Sequence, residues 1–123
     1  MLSIMIVDDE DMLHELYGKL LELKGYQVVA SAYNGVEAVD MYRDMAERPD
    51  LVLMDHRMPI KNGLDAMRDI LDIDSGAQVV FLTADAAVAE HAMAAGAADV
   101  LLKPFRMDVL HKAVDDVATK VGR

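Results

Sequence analysis

Leu2-Ser3-Ile4-Met5-Ile6-Val7-Asp8-Asp9-Glu10 opens the chain with an almost unbroken apolar run that stops abruptly on three acids. A short run of this kind suits a strand covered on both faces, as in a parallel sheet. Four more runs follow, at residues 28–32, 51–54, 79–82 and 100–102. They are brief and rich in β-branched residues, which favours strands over helix interiors. Between them the period changes. Leu13, Leu16, Tyr17, Leu20 and Leu23 recur at helical spacing, and Gly25 stands where a left-handed C-terminal cap belongs. Val36, Val39, Met41, Tyr42 and Met45 mark a second helix bounded by Pro49. Leu64, Met67, Ile70 and Leu71 mark a third, residues 86–95 an alanine-dominated fourth, and Met107, Leu110, Val114 and Val117 a fifth. Strand–helix alternation repeated five times predicts one α/β domain over residues 1–123: an open, doubly wound, five-stranded parallel sheet with helices on both faces. A closed barrel would need about eight such units.

Composition narrows the function. The 123 residues are 54% hydrophobic, enough for a real core, and ten methionines against no tryptophan make that core aliphatic. There is no cysteine, so disulfides, thiolate metal sites and cysteine nucleophiles are excluded. Acids outnumber bases 22 to 12, a net charge of −10 that repels nucleic acid and anionic lipid. No apolar stretch reaches the ~18 residues of a membrane span, and no basic segment leads an apolar one at the N-terminus. A cytoplasmic protein with no direct nucleic-acid or membrane partner is expected.

The ends of the runs carry the chemistry. The first stops at Asp8-Asp9-Glu10, the third at Asp55, the fourth at Thr83-Ala84 and the fifth at Lys103-Pro104. In an open α/β sheet the ligand site lies beyond these carboxyl ends. If the strands concerned are neighbours, the carboxylates of Asp8, Asp9 and Asp55 converge and repel, and one of them must protonate or share a cation. An all-oxygen cluster suits Mg2+. Three carboxylates, one lysine and one Mg2+ balance, so a dianionic phosphoryl group could approach. Taken singly, each acid has an ordinary reading as a turn former or helix cap. Their joint appearance after separate strands points to a site.

The segments Ile-Met-Ile-Val-Asp-Asp-Glu (4–10), Leu-Val-Leu-Met-Asp-His-Arg-Met-Pro (51–59) with Gly63 beyond it, Leu-Thr-Ala (82–84) and Leu-Leu-Lys-Pro-Phe (101–105) resemble, in order and spacing, the CheY-like receiver domains of two-component response regulators. The resemblance implies a flavodoxin-like sheet of strand order 2-1-3-4-5. It implies that Asp55 accepts a phosphoryl group from a sensor histidine kinase or phosphotransfer protein, with Asp8, Asp9, Asp55 and the backbone carbonyl of Arg57 around Mg2+. Lys103, Thr83 and the amide of Ala84 would engage the phosphoryl group, and the Lys103–Pro104 bond would be cis. Such a domain is no conventional enzyme: it catalyses its own phosphorylation and dephosphorylation, and signals to a downstream effector or output domain that the sequence does not identify. At the rim, Arg57 and Asp85 would face each other and could pair as a lid that slows hydrolysis.

One departure from the family pattern stands out. Three residues before Lys103 the family usually has Tyr, Phe or His, and here Val100 has no ring to rotate inward. A pseudo-receiver that only binds partners therefore remains an alternative. A Mg2+-dependent phosphatase with an aspartyl nucleophile is another, although Arg57 stands where its general acid would be. An FMN carrier would want a glycine- and hydroxyl-rich first loop, which Asp8-Asp9-Glu10 is not. His14, His56, His91 and His111 lack paired metal-ligand spacing and are expected in solvated positions, with His56 turned away from Asp55. Asp72, Asp74, Asp115 and Asp116 are expected on solvated turns and helix faces, and Glu10 at a helix N-terminus. The last helix lacks an arginine-rich dimerisation face, so a monomer is expected, either alone or as part of a longer regulator.

Overall fold

Ser3–Val7 forms β1, and the acids that stop it hand the chain to α1, Asp11–Leu23. The computed structural model describes residues 1–122; Arg123, the last residue of the expected domain, lies outside them. After α1 come β2 (Gln27–Ala32), α2 (Gly35–Asp44), β3 (Leu51–Asp55), α3 (Gly63–Ile73), β4 (Val79–Thr83), α4 (Ala86–Ala95), β5 (Asp99–Leu102) and α5 (Met107–Val121). The strands lie in the order β2-β1-β3-β4-β5 and every neighbouring pair is parallel. This is the expected doubly wound sheet, with each strand boundary within a residue or two of the apolar run that foretold it.

Alternation along the central strands divides the core in two. Met5, Val7, Val52, Met54, Val79 and Phe81 face a cluster completed by α2, α3 and α4. Ile4, Ile6, Leu51, Leu53, Val80 and Leu82 face the other cluster, which α1 and α5 close through Tyr17, Leu21, Leu110, Val114 and Val117. Each fully buried aliphatic side chain contributes on the order of 1.5–3 kcal/mol. Full coverage is confined to β1, β3 and β4. The edge strand β2 alternates exposed and half-buried residues up to the buried Ala32, and β5 buries only Leu101.

The inner face of α1 departs from the expected stripe. Leu23 and Leu16 are exposed, at 84% and 46%, while the buried residues are His14, Tyr17, Gly18 and Leu21. The segment around residues 20–23 is apolar nearly all round, so its phase is set by the contact with the sheet and not by its own pattern. Gly25 has φ 87°, as its place after the helix required, and the Tyr26 amide donates back to the Leu21 carbonyl. Two acids expected in solvent tie elements together instead: Tyr42 donates to Asp74 at 2.8 Å, and Tyr26 donates to Asp115 of α5. A buried phenol needs such an acceptor, which the local pattern of the acids does not reveal.

Candidate functional site

The carboxyl ends of β1, β3, β4 and β5 open on a cleft of about 710 Å³, walled by Asp9, Asp55, Arg57, Thr83, Ala84 and Lys103 among others. One carboxylate oxygen from each of Asp8, Asp9 and Asp55 lies within 4.8 Å of the others. Asp8 and Asp55 are buried, at 2% and 5% exposure, and Asp9 is exposed. Two of the acids arrive on one strand end and the third on its sheet neighbour, since β1 pairs with β3. Lys103 reaches over from β5 and donates to Asp55 Oδ1 at 2.5 Å. Its backbone is anchored by its amide, which donates to the Thr83 carbonyl at 2.8 Å, and the Lys103–Pro104 bond is cis.

Asp8 is held closely. Its amide donates to the Ala32 carbonyl at 3.1 Å, and its Oδ1 accepts from the Glu10 amide at 2.9 Å. That contact leaves Glu10 as the N-cap of α1 with no capping bond from its own side chain. Asp8 Oδ2 is buried and has no protein partner. Burial pushes the Asp8 carboxyl up to about 6; the Glu10 amide opposes the rise and the charge of Asp55 reinforces it. A buried carboxylate oxygen without a donor, facing two further carboxylates, fits a hard cation with oxygen ligands.

Gly63 is what lets α3 start so close to Asp55. A β-carbon there would collide with the Asp55 carbonyl oxygen, and the Gly63 amide donates to the His56 carbonyl at 2.9 Å. Thr83 is buried, with its Oγ1 accepting from the Asp85 amide at 3.1 Å. The hydroxyl is thereby tied to the loop that leads into α4.

Arg57 and Asp85 both wall the cleft, but the Asp85 carboxylate caps α4, accepting from the amides of Ala87 and Val88 at 2.9 and 3.2 Å. Among the described residues no ion pair joins it to Arg57. Val100, partly buried on β5, lines an open apolar groove of about 460 Å³ with Ala86, Ala89, Met93 and Leu102. The histidine expectation needs correction, because only His91 is exposed. His56 lines the same cleft as Asp55, its ring 5.7 Å from that of Phe81, and burial lowers its pKa. His14 is buried, and its Nε2 lies 2.7 Å from the carbonyl oxygen of Asp8. Sequence reasoning passed over it because a polar residue beside a leucine stripe reads as outward-facing, whereas an open strand-end carbonyl gives it a partner.

Fold and cleft together define a CheY-like α/β protein, with its chemistry gathered where the strands end. The family model for the response regulator receiver domain matches residues 4–115, and the chain belongs to that family of two-component, phosphoryl-accepting signalling switches. It is 37% identical over 119 residues to the protein CcdB of Bacillus subtilis, covering 95% of this chain and 98% of that one. It is 35% identical to the chemotaxis protein CheY of Thermotoga maritima, over 94% and 96% of the two chains. Among solved structures, the response regulator protein TrrA of Thermotoga maritima, in complex with Mg2+ and BeF, superposes with a TM-score of 0.84 at 30% identity, over 95% of this chain and 99% of that one. Among the described residues, no helix is long and apolar enough to cross a membrane.

Proposed function

We propose that Asp55 is the phosphoryl acceptor and that the cleft around it performs both the gain and the loss of the phosphoryl group. The observation that carries this reading is the convergence of Asp55 with Asp8, Asp9 and Lys103 at one strand-end cleft. A carboxylate oxygen of Asp55 attacks phosphorus, the P–N bond of the donor phosphohistidine breaks, and the imidazole leaves with that electron pair. The donor is a histidine kinase or a phosphotransfer protein. Water later attacks the acyl phosphate, releasing inorganic phosphate and restoring the carboxylate.

Phosphoryl transfer asks the protein mainly for positioning and charge stabilisation. Asp8, Asp9, Asp55 and the Arg57 carbonyl would hold Mg2+, which when bound neutralises charge on the phosphoryl oxygens. Lys103 already pairs with Asp55 and would neutralise a phosphoryl oxygen placed on it. The Ala84 amide and the Thr83 hydroxyl take the remaining oxygens. Because Thr83 Oγ1 accepts from the Asp85 amide, its movement would pull the start of α4 with it. That backbone link supplies an output where Val100 has replaced the family's ring. Arg57, which makes no ion pair among the described residues, stands at the rim where it can obstruct an incoming water.

The test is mass spectrometry of the intact protein after incubation with acetyl phosphate and Mg2+. The wild type is expected to gain one phosphoryl group and Asp55→Asn none. Gain of the same mass by Asp55→Asn at wild-type speed would overturn the assignment.

A further inference from the structure

The buried histidine of α1 has no place in the phosphoryl chemistry above, yet it bonds to the backbone of the acid cluster. We propose that His14 is a positioning residue for the cation site, acting through the peptide plane that joins Asp8 to Asp9; the inference rests on reading the three acids as a Mg2+ site.

A carbonyl oxygen only accepts, so the 2.7 Å contact makes His14 Nε2 the donor to Asp8. The neutral ring then carries its proton on Nε2 and leaves Nδ1 bare. His14 Nδ1 is indeed buried with no partner. The peptide unit is planar, so fixing its oxygen fixes the plane, and with it the torsions that aim both flanking side chains. This hydrogen bond therefore helps to set the relative direction of the Asp8 and Asp9 carboxylates.

Two further bonds act here: the Asp8 amide is held by Ala32, and the Glu10 amide, donating to Asp8 Oδ1, closes a turn across Asp9. His14 holds the same peptide plane from its oxygen side. The ring itself is well anchored. It lies against Tyr33 with centroids 4.2 Å apart, and the Tyr33 amide donates to Glu37 of α2 at 2.8 Å. A residue of the β2–α2 connection thus braces the histidine, and the histidine braces the acids. Groups that orient metal ligands from behind are commonly worth about 10–100-fold in metal affinity.

Two measurements decide the matter. Long-range proton–nitrogen NMR on the wild type, at a pH well above the ordinary imidazole range, is expected to show the Nε2-protonated tautomer. Its signals should move when Mg2+ alone is added. The Nδ1-protonated tautomer would overturn the proposal, and this readout needs no variant. Mg2+ titrations then compare the wild type with His14→Phe, which keeps a ring against Tyr33 but cannot donate, and His14→Gln, which can. Loss of about tenfold in His14→Phe, largely recovered in His14→Gln, is expected. Wild-type affinity in His14→Phe, or equal losses in both variants, would overturn the role of His14 while leaving the cation site standing. Failure of the wild type itself to bind Mg2+ would remove the cation site, and the inference with it.

Discussion

Two residues carry an energetic cost, one at the cleft and one in a turn beside it. Asp8 is buried beside Asp55 with one oxygen unpartnered, and its carboxyl is raised from 3.8 to about 6. Without a divalent cation, the unfolded chain gives up this proton over a pH window in which the folded protein keeps it. Folding stability therefore falls as pH rises between about 4 and 6, by ~3 kcal/mol from this one group. Asp8→Asn is expected to flatten that slope and to raise the metal-free unfolding midpoint at neutral pH. Urea unfolding across a pH series checks both, and added Mg2+ should rescue the wild type but not the variant. Ile60 is the second case: it holds φ 72°, a left-handed conformation that is hard on a β-branched residue, and its side chain is 81% exposed. It sits in the connection from Asp55 to α3, at the centre of a tight turn closed by the Lys61 amide donating to the Pro59 carbonyl at 2.8 Å. Little packing is lost on removing it. Ile60→Gly is expected to stabilise the protein by about 1 kcal/mol in denaturant titrations, the relief of strain outweighing the added freedom of the unfolded chain.

Among the helices, α4 buries the fewest side chains. It buries only Ala92, and its alanines favour helix without supplying a large apolar face. Its ends do much of the work: Asp85 caps the first amides and Gly96 closes the last turn. Asp85→Ala is expected to cost ~1 kcal/mol and to fray the first turn of α4, visible as faster amide exchange at residues 87–89 with little change elsewhere. Uniform change along the chain would mean that the cap supports the whole fold and not this helix. A weakly held α4, tied through the Asp85 amide to the Thr83 hydroxyl, is suited to shift in response to a small event in the cleft. The helix α1 is the opposite kind of element, with its inner face locked on the sheet by Tyr17 and Leu21 and on the acid cluster by His14.

Across the whole molecule, burial is graded from the middle of the sheet outward. Every residue of β3 and β4 is buried, as is β1 beyond Ser3, while β2 and β5 are half-covered. Native-state hydrogen exchange should follow that gradient, with β1, β3 and β4 opening only on global unfolding and α4 opening first. Exchange of β3 as fast as β2 would contradict it. The gradient bears on the cleft, because the well-covered strands β1 and β3 lead into Asp8 and end on Asp55. The proposed acceptor thus sits at the end of a fully covered strand, while Thr83, at the end of β4, is tied through its hydroxyl to the start of α4.

Much of this was legible in the sequence. Nearly uninterrupted apolar runs, four of the five ending on an acid, a threonine or a lysine and each followed by a helical period, determined the parallel sheet and the end of it that carries chemistry. Asp8, Asp9, Asp55, Thr83 and Lys103 stood out as candidates because residue types of that kind rarely close apolar strands together. The phase of α1 was not legible, since apolar residues all round residues 20–23 leave the choice to the sheet beneath. Nor was His14, whose burial depends on a carbonyl that is open only because β1 stops there. The Lys103–Asp55 pair spans 48 residues of chain. Periodicity is a property of neighbours along the chain, but proximity over that separation is decided by the lateral order of the strands. That order, and with it the closeness of three carboxylates and a lysine, is fixed only when both faces of the sheet are covered at once.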